Sequence, residues 1–249
     1  MNWIIKLLTL ALCASAVAQN IDDAALEKLK LPGIKINAKE KYVDVDGTIC
    51  LDSGALEVVA CTKDTKEHES IIQLGARPVH IHMALLLIGA APGTPAMQKQ
   101  VGEGEEKRWM FYPASGQPVE VSLIHSVDGG KELVTPIAEF IQKIAEEDGA
   151  FPQSQEPKEE RKMEKFPTSI FLFMGSHLIE NGEGPKRYIA EESGNVITIS
   201  TFGDEMLGMS EQYSSSNGSL LWEINSEKTP AVGTKVRLRL KPIFAAPAK

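Results

Sequence analysis

The densest gathering of residues able to do chemistry is Thr65-Lys66-Glu67-His68-Glu69-Ser70. Flanking carboxylates favour a protonated histidine, and as neutral imidazole the same side chain can ligate a metal. In an extended segment alternate residues share a side. Glu67 and Glu69 would then point one way and His68 and Ser70 the other, so a site here needs help from elsewhere in the fold. Val79-His80-Ile81-His82 is the natural second contributor. On a strand His80 and His82 share a face and can chelate; on a helix they lie about 200° apart and cannot hold one ion. His68, Glu69 and His82 are therefore the candidate set for a ligand or a transition metal. The plainer alternative is a core histidine, with His82 facing inward and hydrogen-bonded to Ser70, Glu69 or a backbone carbonyl.

Other constellations are incomplete, and no catalytic residue is assigned. The zinc-protease pattern His-Glu-x-x-His fails because Ile72 occupies its last position. Gly175-Ser176-His177 lacks the glycine spacing of a nucleophile elbow. Gly102-Glu103-Gly104-Glu105-Glu106 is too acidic to cradle phosphate. Trp109, Trp222 and the tyrosines are scattered, which suits core or rim packing better than a sugar-binding platform.

The elements that must position these residues are mostly strands. A short helix is expected over 22–31, capped by Asp22 or Asp23 and ended by Pro32-Gly33. Tyr42 to Asp46 alternates with period two, and Asp46-Gly47 is a hairpin signal. Ser70 to Leu74 reads as a short strand, and Pro78 to Ile88 as a buried helix begun by Pro78 and closed by Gly89. Thr94 to Lys107 reads as a surface loop. Val119 to Ile124 is a strand, with Glu132 to Val134 as its returning partner across Asp128-Gly129-Gly130. Ile137, Phe140, Ile141 and Ile144 follow helical spacing. Residues 146–165 form a charged excursion. Strands resume over 169–174, 187–190, 196–201, 220–224 and 235–240. The fold class is α+β: β-rich, mainly antiparallel, with a few packed helices.

The N-terminus reads as a signal peptide. Lys6 precedes the apolar run Leu7 to Ala14, and Ala16-Val17-Ala18 supplies a small-x-small cleavage site before Gln19. The run is too short for a membrane span, which takes about 20 apolar residues. Cleavage leaves one mature domain, 19–249, with no further membrane span expected. Lys and Arg number 26 against 34 Asp and Glu, and this acidic balance excludes sequence-independent nucleic-acid binding. Cys13 leaves with the leader, so Cys50 and Cys61 remain where disulfides persist. Asp52-Ser53-Gly54 is turn chemistry between two apolar stretches, and a hairpin there sets the cysteines side by side for a bridge. Two separate buried thiols are the alternative.

Ile49-Cys50-Leu51, Ala60-Cys61, Thr65 to Ser70, and His82 to Gly93 together resemble the YdjY-like domain family of exported bacterial proteins. Phe173 to Ser176, Tyr188 to Ala190, Gly194 to Ser200 and Thr229 to Val236 are similar as well. The likeness runs from about 32 to 242. It implies an exported domain, periplasmic or extracellular, with family-like residues at Cys50, Cys61, His68 and His82; it implies no activity, substrate or cofactor. The expected function is a non-catalytic extracytoplasmic binding or envelope module, its partner an envelope protein or small ligand. The alternative is a metal-binding protein or metal-dependent enzyme using His68 and His82.

Overall fold

The computed structural model describes residues 29, 31–127, 130–144 and 165–245. The leader with its Ala18–Gln19 junction, most of the expected 22–31 helix and the excursion up to residue 164 lie outside the described residues. The first half of the chain forms β1 (Ile34–Asn37), β2 (Tyr42–Ile49), β3 (Val58–Thr62), β4 (Ser70–Leu74), helix α1 (Pro78–Leu87), β5 (Met97–Val101) and β6 (Arg108–Tyr112). The second half adds β7 (Gln117–Val127), β8 (Lys131–Pro136), β9 (Ile141–Lys143), β10 (Ile170–Phe173), β11 (Leu178–Asn181) and β12 (Gly184–Tyr188). Helix α2 (Ile189–Ser193), β13 (Ile197–Thr198), β14 (Leu207–Gly208), β15 (Trp222–Ile224) and β16 (Lys235–Pro242) complete it.

Eight strands close into a barrel in the order β2-β16-β7-β10-β14-β13-β3-β4, with β4 returning to β2. Most neighbours are antiparallel; β3–β4 and β13–β14 are parallel. The two long strands make closure possible by splitting an edge between two partners. β2 pairs β1 through Tyr42–Val45 and β4 through Gly47–Ile49, while its other edge carries β16. β7 divides one edge between β10 and β8 and pairs β16 on the other.

Period-two alternation fills the interior, as a barrel this narrow requires. Val43 and Val45 of β2, Val119, Val121 and Leu123 of β7, and Leu238 and Leu240 of β16 are all buried. On the outer face Asp44 stays covered because Arg239, its register partner, grips it with two bonds of 2.7 and 2.8 Å and lies over the Tyr42 ring. α1 starts on Pro78 and ends where Gly89 takes φ +92°, its N–H bonding Leu86 O. Ile81, Ala84, Leu85 and Ile88 are buried, whereas Met83 and Leu86 face solvent.

Four local expectations change. Asp46-Gly47 is no hairpin turn: β2 runs straight through it, and glycine is needed because a Cβ there would sit 2.7 Å from Ile72 Cγ2 across the closing seam. The Ile137–Ile144 spacing gives a 3-10 turn, Ile137–Phe140, followed by β9. Phe140 O and Ile144 N–H are taken by Asn225 and Leu221, so the helix ladder loses its partners to β15's surroundings. The 94–107 loop contains β5. The strand expected over 187–190 stops at Tyr188, where α2 begins.

Candidate functional site

Residues 65–70 fold as a turn rather than an extended strand: Glu67–Glu69 is a 3-10 helix leading into β4. Its polar groups serve the turn. Glu67 accepts N–H bonds from Asp64 and, at 2.8 Å, from Thr65, while Thr65 Oγ1 donates to Thr62 O at 2.6 Å. Burial works against the ionised Glu67 carboxyl, but these backbone donors and His68 outweigh it and hold its pKa low. Lys66 bonds Glu69 at 2.7 Å and lies 3.9 Å from the centre of the Phe202 ring. Behind them Glu57 is buried; desolvation first and then Glu69 push its carboxyl up, against the pull of Lys66 and His68. The His68 side chain is 76% exposed, its Nε2 3.7 Å from Glu69 Oε2.

His82 belongs to a different neighbourhood. The Tyr188 hydroxyl donates to Gly175 O at 3.1 Å, which leaves its oxygen to accept from His82 Nδ1–H at 2.9 Å. The ring packs edge-on against Phe173 and Tyr188. Burial pushes the His82 pKa down, opposed by the Gly175 carbonyl, and burial followed by Glu191 pushes Tyr188 up. His82 is thus a hydrogen-bonded inward histidine whose partner is Tyr188, not Ser70 or Glu69. Among the described residues no hydrogen bond, ion pair or ring contact joins it to His68, and no three His, Cys, Asp or Glu side chains gather to hold a metal. Gly175-Ser176-His177 instead clamps the loop before β14: Ser176 Oγ donates to Asp204 O at 2.6 Å and His177 Nε2 to Gly203 O at 2.8 Å.

Cys50 and Cys61 are neighbours, but not across a hairpin. β4 lies between β2 and β3, antiparallel to one and parallel to the other. The expected bridge is not formed; both are free thiols. Cys50 Sγ–H has two acceptors in reach, Ser70 O at 3.1 Å and the Cys61 sulfur. Hydrogen bonding from Cys50 draws the Cys61 pKa to about 7 against the effect of burial, with help from Ser70 and the Lys66 backbone. Cys50 is correspondingly held protonated, first by that bond and then by burial. The pair gives up its first proton from the buried member.

The YdjY domain family matches residues 34–241, from the first residue of β1 into β16. The chain belongs to the YdjY domain family. No curated protein and no solved structure matches it.

Two features of this YdjY domain escaped the sequence reading. β5 and β6 form a separate two-stranded ribbon. Its register sets Gln98 opposite Phe111 and Gln100 opposite Trp109, so these four share one face. Trp109 is 67% exposed, and Met110, Phe111 and Tyr112 are exposed beside it. The signal was the unbroken run Trp-Met-Phe-Tyr, bracketed by Arg108 and Pro113 and lacking the alternation of a core strand. The second feature is a cleft of about 360 Å³ lined by Asp46, His125, Glu132, Lys235 and Arg237, among others. Its cations are already engaged, Arg237 by Glu132 and Lys235 by Thr48 Oγ1 at 2.9 Å.

Proposed function

We propose that the protein is a binding module of the cell envelope or exterior, and that the β5–β6 ribbon is its contact surface. The supporting observation is the succession of four exposed large apolar side chains, Trp109 to Tyr112. Trp109 and Phe111 stand side by side on one face of the ribbon, Met110 and Tyr112 on the other, and exposed aromatic anchors of this kind dominate binding energy at protein interfaces. The partner is an envelope protein. Export, with cleavage between Ala18 and Gln19, brings the domain to it. No geometry favours the metal reading of His68, Glu69 and His82, since His82 is committed to Tyr188.

Cross-linking capture from the envelope fraction tests the proposal, with Trp109→Ala and Phe111→Ala as controls. The wild type should retain a defined partner that the variants lose, while the variants melt within about 0.5 kcal/mol of wild type because their side chains touch little. A captured set identical in wild type and variants would refute the ribbon. Mass analysis of the exported chain checks the cleavage site.

A further inference from the structure

Between β13 and β14 the chain buries a carboxylate with one oxygen unused. Glu205 is 2% exposed; its Oε1 accepts the N–H groups of Phe202 and Gly203, whereas Oε2 has no partner among the described residues. Thr198, 1% exposed, likewise leaves Oγ1 unpartnered. Both residues line the same cavity, whose free volume of about 10 Å³ is that of one water-sized group. Gly208 is part of its wall: a Cβ there would approach Thr198 Oγ1 to 3.1 Å. The lining also includes the buried Met174, Met209 and Ala96, and Ser210, Glu211 and Gln212 stand exposed at its rim. The lining contains two carboxylates and no cationic side chain.

We propose that this cavity is a binding site for a primary alkylammonium group. An ammonium head is as small as a water, can donate to both Glu205 Oε2 and Thr198 Oγ1, and brings the charge that a buried carboxylate lacks. Its alkyl stem lies against the methionines and leaves by the exposed rim at Ser210, Glu211 and Gln212. The head room excludes guanidinium and quaternary ammonium groups. The site stands apart from the ribbon proposal and does not depend on it.

The test is calorimetric titration of the purified full chain with n-butylammonium chloride, using tetramethylammonium chloride and n-butanol as controls. A second arm uses Nα-acetyl-lysine methylamide and its Nε-acetylated form. Saturable binding of butylammonium, absent with both controls, is the expected result. Binding of the lysine derivative as well identifies a lysine side chain as the source, and binding of butylammonium alone identifies a free amine. Gly208→Ala, which fills the cavity, Thr198→Val and Glu205→Gln should each weaken binding about tenfold or more, the worth of one charge-assisted hydrogen bond. Should Glu205→Gln fail to fold, the other two variants decide. Equal response to all three titrants overturns the proposal, as does undiminished binding in Gly208→Ala. So does a crystal structure grown with butylammonium that shows an ordered water alone in the cavity.

Discussion

Gly47→Ala should destabilise the protein, although the same change in an ordinary strand is stabilising. Glycine costs a strand conformational entropy, and alanine normally recovers about 0.4–1 kcal/mol. At position 47, however, the added Cβ would lie 2.7 Å from Ile72 Cγ2, 3.1 Å from Leu74 Cδ2 and 3.3 Å from Gln73 O. Carbon pairs prefer about 3.5–4.0 Å, so β2 and β4 must part at the seam that closes the barrel. Overpacking of this kind costs about 1–3 kcal/mol. The net loss is about 1–2 kcal/mol, a fall in Tm of about 2–8 °C for a chain of this size. Calorimetry or urea unfolding of both proteins measures it. Ile72→Ala removes the offending methyl, so in that background Gly47→Ala should turn neutral or stabilising. A rise in stability from Gly47→Ala in the wild-type background would show that β4 does not close on β2 as described.

Arg239→Met should cost about 2–4 kcal/mol in urea unfolding, since it strands the nearly buried Asp44 carboxylate. Arg237→Ala, which breaks a more exposed pair with Glu132, should cost less than about 1 kcal/mol; equal losses would mean that Asp44 is hydrated. His82 has a folded pKa below its unfolded value of about 6.5, because burial favours the neutral ring. Its contribution is complete above about pH 6.5 and is lost as pH falls through the depressed folded value, so stability should drop with acidification by more in wild type than in His82→Phe. Parallel pH profiles for the two proteins would contradict the assignment. With both thiols reduced, the ultraviolet absorbance of the Cys61 thiolate should titrate near pH 7. Cys50→Ala should move that titration upward, because desolvation is then less opposed; an unmoved curve would remove Cys50 as the hydrogen-bonding partner.

Much of the barrel was readable because burial on one face of a strand is local information. Val43 and Val45, Val119 to Leu123, and Val236 to Leu240 each announce a strand without reference to a partner. α1 was equally plain, bounded by Pro78 and Gly89. Pairing was not readable. The insertion of β4 between β2 and β3, the parallel β3–β4 and β13–β14 ladders, and the closure at Gly47 all depend on contacts distant in sequence. β13 and β14 are two residues each, too short to show any period. Ile137 to Ile144 shows the opposite failure: the spacing is helical and three of its four apolar residues are buried as a helix would bury them, yet the backbone pairs with β15.

The candidate site misled for a related reason. Polar residues clustered in sequence reach their own backbone most easily, and Thr65 to Glu69 do so, with Glu67 and Thr65 spent on a turn of their own making. A functional constellation is more often assembled from distant segments, as in the His82–Tyr188–Gly175 chain and the cavity that joins Ala96, Met174, Thr198 and Glu205. Within the sequence Glu205 follows Asp204 and precedes Met206 and Leu207, with nothing to separate it from a surface glutamate. Its meaning arises only when the fold removes it from water and occupies one of its two oxygens. A buried carboxylate left with a free oxygen carries an energetic demand for a donor or a cation, and in this barrel that demand is met from outside the chain.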